Sequence, residues 1–282
     1  MYINRKEFKY KYIYFIILNM IPKVIYQTWV TKNLPKNVIE VRNKIQRLNP
    51  NYTMILFDDN EMDKWIKDNF DESTYNCYNC LTIGAAKADL WRYLILYKNG
   101  GIYLDIDSNI IRPLDELINE DDSAIISREG NKLGTYLQWC LMFSPEHPIL
   151  RRTIDNCIKN IMDNIKKISL MDTGYFTGPF PFTAAVQEIM VRFYYDKTRR
   201  LFDVDDNELN NYTNNLNNSI RCRFYKIDYP GFCQFQHPYK NSLYQEANVN
   251  HWTIQQQINK MNYNRNNNLQ ARFKMNNSNN NI

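Results

Sequence analysis

Read for hydrophobic periodicity, the first part of the chain alternates extended and helical segments. Ile21-Pro-Lys-Val-Ile-Tyr-Gln-Thr-Trp29 is an extended, β-branched run, and Tyr52 to Phe57 is a second. Between them Val38, Val41, Ile45 and Leu48 recur at helical spacing over Lys36 to Leu48, and Asn49-Pro50 stops that helix because the residue before a proline disfavours helical backbone. Asp58 or Asp59 then offers a short side-chain oxygen to the open N–H groups of a helix reaching about Phe70. Strand, helix, strand, helix is the order of an α/β sheet.

The pattern changes at Ile83. From Leu90 to Tyr97 every position except Arg92 is apolar or aromatic, which predicts a helix covered on most sides. Asn99-Gly100-Gly101 ends it, since glycine enters the left-handed region freely. Ile102 to Asp105 is a short strand with Asp105 and Asp107 at its C-terminal end; two residues apart in an extended chain, the two carboxylates share a face. Further on, Gln138 to Phe143 reads as a buried strand, Pro148 to about Asn164 as an amphipathic helix, and Phe182 to Tyr195 as another, after the loop Thr177-Gly-Pro-Phe-Pro181. Asp203 to Asn218 is polar and reads as an exposed loop, and from about Asn262 repeated Asn without apolar period predicts disorder.

Composition sharpens the domain reading. The 282 residues are 44% hydrophobic, enough for one sizeable core, so residues 21–261 are expected as a single domain between a basic and apolar segment (1–20) and an Asn-rich tail (262–282). The net charge of +5 rests on the ends: residues 1–11 sum to +3 and the last 28 to +4, leaving −2 between them. A nucleic-acid groove through the body is therefore excluded, and weak association with a membrane surface is left to the basic ends. Six scattered cysteines, among them a lone Cys77-Tyr-Asn-Cys80, read as buried or incidental thiols without a metal. The apolar run Tyr12 to Leu18 is shorter than the roughly 20 residues a bilayer needs. It reads as an element packing on the domain, with a membrane-proximal anchor as the lesser alternative, and the chain is expected in the cytoplasm or at the membrane periphery rather than secreted.

Two features carry candidate chemistry. Arg92 is the one charge within an apolar helical run and must find an anion, because an unpaired buried charge is very costly. Asp89, within about 60° of it on the helix, supplies either a structural ion pair or, with Ala85 and Ala86 leaving room, one of two charges facing a ligand. The Asp105/Asp107 pair lies where ligands bind in open α/β sheets, outside the C-terminal ends of strands. Two carboxylates there suit a hard divalent ion that keeps positions for phosphate oxygens.

Ile21-Pro-Lys-Val-Ile-x-Gln-x-Trp29, Ala85-Ala-Lys-x-Asp-x-x-Arg-Tyr93 and Gly100-Gly-Ile-Tyr-x-Asp-x-Asp107 resemble the glycosyltransferases whose sugar-binding region contains the DXD motif, a family that includes yeast α-1,6- and inositol-phosphoceramide mannosyltransferases. The Asp, Arg and Asp-x-Asp spacing is also similar to the large clostridial glucosylating toxins. The resemblance implies a GT-A fold, a Rossmann-like mixed sheet flanked by helices, and a retaining enzyme using Mn²⁺ or Mg²⁺ and a nucleotide-sugar donor. It implies that Trp29 stacks on the nucleobase and that Asp89 accepts from ribose and sugar hydroxyls. Arg92 would hold a sugar hydroxyl or orient the carboxylates, Asp105 would bridge donor and metal-bound water, and Asp107 would ligate the metal directly. His251-Trp252 resembles the late segment in which a His helps bind the metal and a Trp donates to a phosphate. Two departures stand out: Tyr26 replaces the family's common His in the first strand, and Thr253-Ile-Gln255 replaces Gly-Ser-Trp. The implied function is transfer of a hexose from a GDP- or UDP-sugar to a glycan, lipid or protein acceptor. Ile102 to Ser108 also fits the strand and DxD of haloacid-dehalogenase-type phosphohydrolases, although no later catalytic lysine and acidic motif can be placed, and a non-catalytic sugar-binding protein stays open. His147, within Ser-Pro-Glu-His-Pro, is expected to be structural, and the Thr177–Pro181 loop either lines the site or is a plain turn.

Overall fold

The computed structural model describes residues 20–129, 134–170, 172–193, 222–225, 232–234, 240–251, 253–262 and 264. The expected loop at 203–218 and most of the expected N-terminal segment and tail lie outside them.

A six-stranded mixed sheet forms the centre, in the order β2 (Thr53–Phe57), β1 (Val24–Thr28), β3 (Gly101–Leu104), β6 (Cys140–Phe143), β5 (Ala124–Ser127) and β7 (Cys222–Tyr225). The β2–β1, β1–β3 and β5–β7 pairs are parallel, while β3–β6 and β6–β5 are antiparallel. Strand β3 is buried along its whole length. Alternate strand residues feed two cores, as a pleated strand requires. Tyr26, Tyr103, Leu141, Phe143 and Ile126 meet a helical layer that includes α4 (Gly84–Asn99), α5 (Pro148–Asp163) and α7 (Pro179–Phe193). Ile25, Ile102, Leu104, Cys140, Met142 and Ile125 meet the other side, which holds Ile45 of α1 (Lys36–Leu48) and a two-stranded ribbon of β4 (Asn109–Ile110) and β8 (Cys233–Gln234). This is the expected α/β architecture, a mixed sheet flanked by helices.

Local signals explain most of the early elements. Helix α1 has the predicted span and buries Val38 and Ile45. Asp58 rather than Asp59 caps α2 (Asp59–Asn69): its carboxylate accepts from Glu61 N–H at 2.9 Å while Glu61 accepts from Asp58 N–H at 3.1 Å, a reciprocal capping box. Helix α4 buries nine of its residues, Leu90 to Leu96 among them, and ends at Gly100 (φ 65°) and Gly101 (φ 104°). Both glycines are obligatory, since a Cβ on Gly100 would lie 2.7 Å from Pro145 and one on Gly101 2.9 Å from the Val24 carbonyl. That tight reversal lays β3 directly beside β1.

Later elements differ more from expectation. Helix α7 begins at Pro179, not Phe182, because proline suits the first helical position. The loop before it shrinks to Thr177-Gly178. Helix α3 (Glu72–Asn79), the short helix α6 (Thr173–Phe176), strands β5, β7 and β8, helix α8 (Lys240–Glu246) and the helix at 253–262 have no counterpart in the predicted pattern. Five of the six cysteines are buried, and no helix among the described residues is long and apolar enough to cross a membrane.

Candidate active site

The site lies at the C-terminal ends of the parallel strands β1 and β3. Trp29 follows the end of β1, and Asp105 follows the end of β3. The Asp-x-Asp segment is a turn rather than the extended strand expected, closed by Ser108 N–H donating to the Asp105 carbonyl at 3.0 Å. The two carboxylates are nonetheless close enough for the Asp107 charge to act on Asp105.

Beneath this turn sits a buried charge network. Arg92 Nη2 lies 3.0 Å from Asp89 Oδ1 and 3.3 Å from Asp105 Oδ1. Its Nη1 donates to the Gln138 carbonyl at 2.9 Å, and the guanidinium stacks 4.4 Å from the Tyr103 ring centre. Asp89 and Arg92 are 3% and 5% exposed, whereas the Asp105 side chain is 25% exposed and meets solvent. Helical spacing produces the Asp89–Arg92 contact, and β3 brings Asp105 onto the same guanidinium.

Both oxygens of Asp89 accept from donors inside the protein. Besides Arg92, Gln138 Nε2 donates to Oδ1 at 3.2 Å and Thr177 Oγ1 donates to Oδ2 at 3.1 Å. Gln138 also meets the Tyr93 hydroxyl through its side-chain carbonyl. The adjacent Trp139 carbonyl accepts from Asp105 N–H at 2.8 Å, so two successive carbonyls of one segment hold Arg92 and Asp105. Gln138 carries no motif in the sequence and is identifiable only from the fold.

Electrostatics follow from this packing. Burial pushes Asp105 up to about 6, with the Asp107 charge adding to the rise and Arg92 and the Tyr103 hydroxyl opposing it. Burial also raises Asp89, against Arg92 and Thr177. Burial alone would lower Arg92, but Tyr103, Asp105 and Asp89 hold it charged. Two carboxylates, Asp89 and Asp105, thus share one guanidinium while the Asp107 charge also acts on Asp105, a surplus of negative charge that a divalent cation at Asp105 and Asp107 would relieve. Hard carboxylate oxygens fit Mn²⁺ or Mg²⁺. Among the described residues no three His, Cys, Asp or Glu side chains are grouped so as to hold a metal ion.

The C-terminal part closes over the same edge. The Tyr244 ring sits between two expected site residues, 5.2 Å from Trp29 and 5.0 Å from His251, centre to centre. Burial raises the Tyr244 hydroxyl, and the charges of Asp107 and Asp105 raise it further, which places it within their field. Leu243 joins Val38 and Ile106 in a small core beneath Trp29 and Tyr244. Trp29 meets Tyr244 edge to face, and its buried indole N–H has no hydrogen-bond partner. His251 Nδ1 lies 2.8 Å from Thr253 Oγ1 at the head of the helix at 253–262. Trp252 is outside the described residues. Sequence reading missed Tyr244, since an isolated tyrosine in an unpatterned segment gives no signal.

Two further segments have local packing roles. A Cβ on Gly178 would lie 2.7 Å from Gly174 Cα, so the glycine serves a close turn within the chain. His147 caps α5, accepting from Ile149 N–H at 3.3 Å; it is 2% exposed, and burial lowers it to about 3.

Residues 35–124 match the family described as glycosyltransferase sugar-binding region containing DXD motif. The matching segment is thus similar to the DXD-type glycosyltransferase region. It holds Asp89, Arg92, Asp105 and Asp107, while Trp29, Thr177, Tyr244 and His251 lie outside it. The Initiation-specific alpha-1,6-mannosyltransferase of Candida albicans is 28% identical over 206 residues, 60% of this chain and 53% of its own length. The Inositol phosphoceramide mannosyltransferase 3 of Schizosaccharomyces pombe is 36% identical over 106 residues, 35% of this chain and 28% of its own. The chain thus spans about half, or less, of the curated relatives it matches. Among solved structures, the PaToxG Glycosyltransferase aligns with a TM-score of 0.48 at 20% identity, over 66% of this chain and 79% of its own, a likeness too distant to bear on the DXD site.

Proposed function

We propose that the protein is a metal-dependent, retaining glycosyltransferase of GT-A fold that moves a hexose from a GDP- or UDP-sugar to a glycan, glycolipid or protein acceptor. The observation that carries the reading is the surplus of carboxylates at the strand ends inside the DXD region: a partly exposed Asp105 and a buried Asp107 beside the buried Arg92–Asp89 pair. Mannose is the first sugar to test, because both relatives above are named as mannosyltransferases.

Asp107 and Asp105 would hold Mn²⁺ or Mg²⁺, which when bound neutralises charge on the departing nucleoside diphosphate. Arg92 fixes the Asp105 carboxylate, and Asp89, engaged by Thr177 and Gln138, fixes Arg92. This gives Asp89 and Arg92 a positioning role more than direct contact with the donor. Trp29 offers an aromatic surface to the nucleobase, with Tyr244 setting its orientation. His251, one ring away, supplies a further ligand or phosphate contact, and Trp252 is proposed to donate its indole N–H to a phosphate.

The test is hydrolysis of a panel of GDP- and UDP-sugars with and without Mn²⁺. Metal-stimulated hydrolysis of one donor that disappears in Asp107→Ala is expected. Absence of hydrolysis by the unmodified protein across the panel, or hydrolysis indifferent to both metal and Asp107, would overturn the proposal.

A further inference from the structure

Two of the six thiols meet across the core between the central sheet and the ribbon. Cys140 lies on β6, opposite Leu104 of β3, and Cys233 lies on β8, opposite Ile110 of β4. Both side chains are buried in the core that also holds Leu104 and Ile110, and their sulfurs are 3.7 Å apart. Two other buried thiols have polar partners instead: Cys157 Sγ meets the Thr177 carbonyl at 3.9 Å, and Cys222 Sγ meets His147 Nε2 at 3.5 Å. Going from 3.7 Å to the roughly 2.05 Å of a disulfide needs a shift of about 1.7 Å. Side-chain rotation and a small movement of the ribbon supply it.

The contact joins parts of the chain 93 positions apart. Cys140 directly follows Gln138 and Trp139, whose carbonyls hold Arg92 and Asp105. On the other side, β4 begins two residues after Asp107, and β8 leads to α8 and Tyr244. The ribbon pairs through two residues per strand, with one more bond from Ile111 N–H to the Phe232 carbonyl at 2.8 Å. So short a ladder is weak by itself, and a covalent link to the sheet would fasten it.

We infer that Cys140 and Cys233 form a disulfide under oxidising conditions and that this bond clamps the β4–β8 ribbon to the central sheet. The oxidant is a small disulfide of the glutathione class. The Cys233 thiolate attacks one sulfur of the oxidant and releases one thiol; the Cys140 thiolate then attacks Cys233 Sγ and releases the second. Two protein S–H bonds and the oxidant's S–S bond are replaced by one protein S–S bond and two small-molecule S–H bonds, with two electrons passing to the oxidant. Burial keeps the Cys140 thiol protonated in the closed fold, so exchange begins at Cys233 and is completed as the short ribbon opens or as the chain folds. Nothing in this link rests on the sugar chemistry.

The test treats the full chain with oxidised glutathione or with dithiothreitol, once as the folded protein and once during refolding from denaturant, and maps peptides without reduction after blocking free thiols. A linked peptide pair containing Cys140 and Cys233 is expected as the main cross-link in at least one oxidised arm and in neither reduced one. The linked protein should melt about 5–10 °C above the reduced protein. Amide hydrogen exchange over 232–246 should slow about tenfold. Cys233→Ala should lose the linked pair and the rise in melting temperature, whereas Cys77→Ala/Cys80→Ala should keep both. Absence of the Cys140–Cys233 link from both oxidised arms, a different cysteine pair as the main link, or unchanged exchange over 232–246 in the linked protein would each overturn the inference. So would an equal rise in Cys233→Ala. If Cys233→Ala does not fold, the peptide map and exchange rates of the parent decide.

Discussion

The site is assembled from two regions of different construction. The segment from β1 to β4 supplies Trp29, Asp89, Arg92, Asp105 and Asp107 from strand ends, one helix and one turn, with positions fixed by local geometry. The rest of the chain supplies Gln138, Thr177, Tyr244 and His251, each reaching the site across a long separation in sequence. The first region holds the charges, whereas the second satisfies and encloses them. Changing a residue of the first removes chemistry or strands a buried charge. Changing one of the second loosens what the first already holds.

Arg92→Met should break this division most severely. It leaves Asp89 and Asp105 without their shared cation, at a cost of about 3–5 kcal/mol measured by denaturant unfolding. A loss near that of an exposed pair such as Lys64–Asp68, about 0.5 kcal/mol, would show that the network is not structural. Thr177→Val ranks next, because it deprives the buried Asp89 Oδ2 of its donor, at about 1–3 kcal/mol by the same measurement. Tyr244→Ala should leave stability closer to the parent and lower kcat/KM for the donor about tenfold, by freeing Trp29 and His251 from the ring between them. Equal activity would show that the C-terminal half does not act on the site.

The smallest effect concerns acid, away from the site. His147 is neutral in the fold and titrates only near 3, while the unfolded chain takes up a proton below about 6.5. Its neutral form therefore favours folding fully above about pH 6.5, and stability falls as pH drops toward 3, by at most about 1.4 kcal/mol per unit. His147→Asn, which retains a capping side chain, should flatten the thermal midpoint between neutral and mildly acidic pH. An unchanged slope would assign the acid sensitivity to other groups.

Legibility in the sequence follows the same division. Helix α1, the Asp58 cap, the Gly100-Gly101 reversal and the Asp-x-Asp segment were readable because each rests on neighbours within a few residues. The ion pair of Arg92 was foreseeable from helical spacing, but its second partner Asp105 depended on where β3 lies. Gln138, Tyr244 and the β4–β8 ribbon depend on long-range packing that leaves no period in the sequence. The extended geometry expected for Asp105 to Asp107 failed because the chain turns immediately after β3.

The most direct test of the account is Mn²⁺ binding, titrated in the presence of GDP or UDP, by the parent protein, Asp107→Ala and His251→Ala. Binding that Asp107→Ala abolishes and His251→Ala weakens by no more than about tenfold is expected. In the parent it should weaken as pH falls through about 6, since protons compete for Asp105. Undiminished binding by Asp107→Ala, or its complete loss in His251→Ala alone, would contradict the claim that the metal and diphosphate site belongs to the DXD turn.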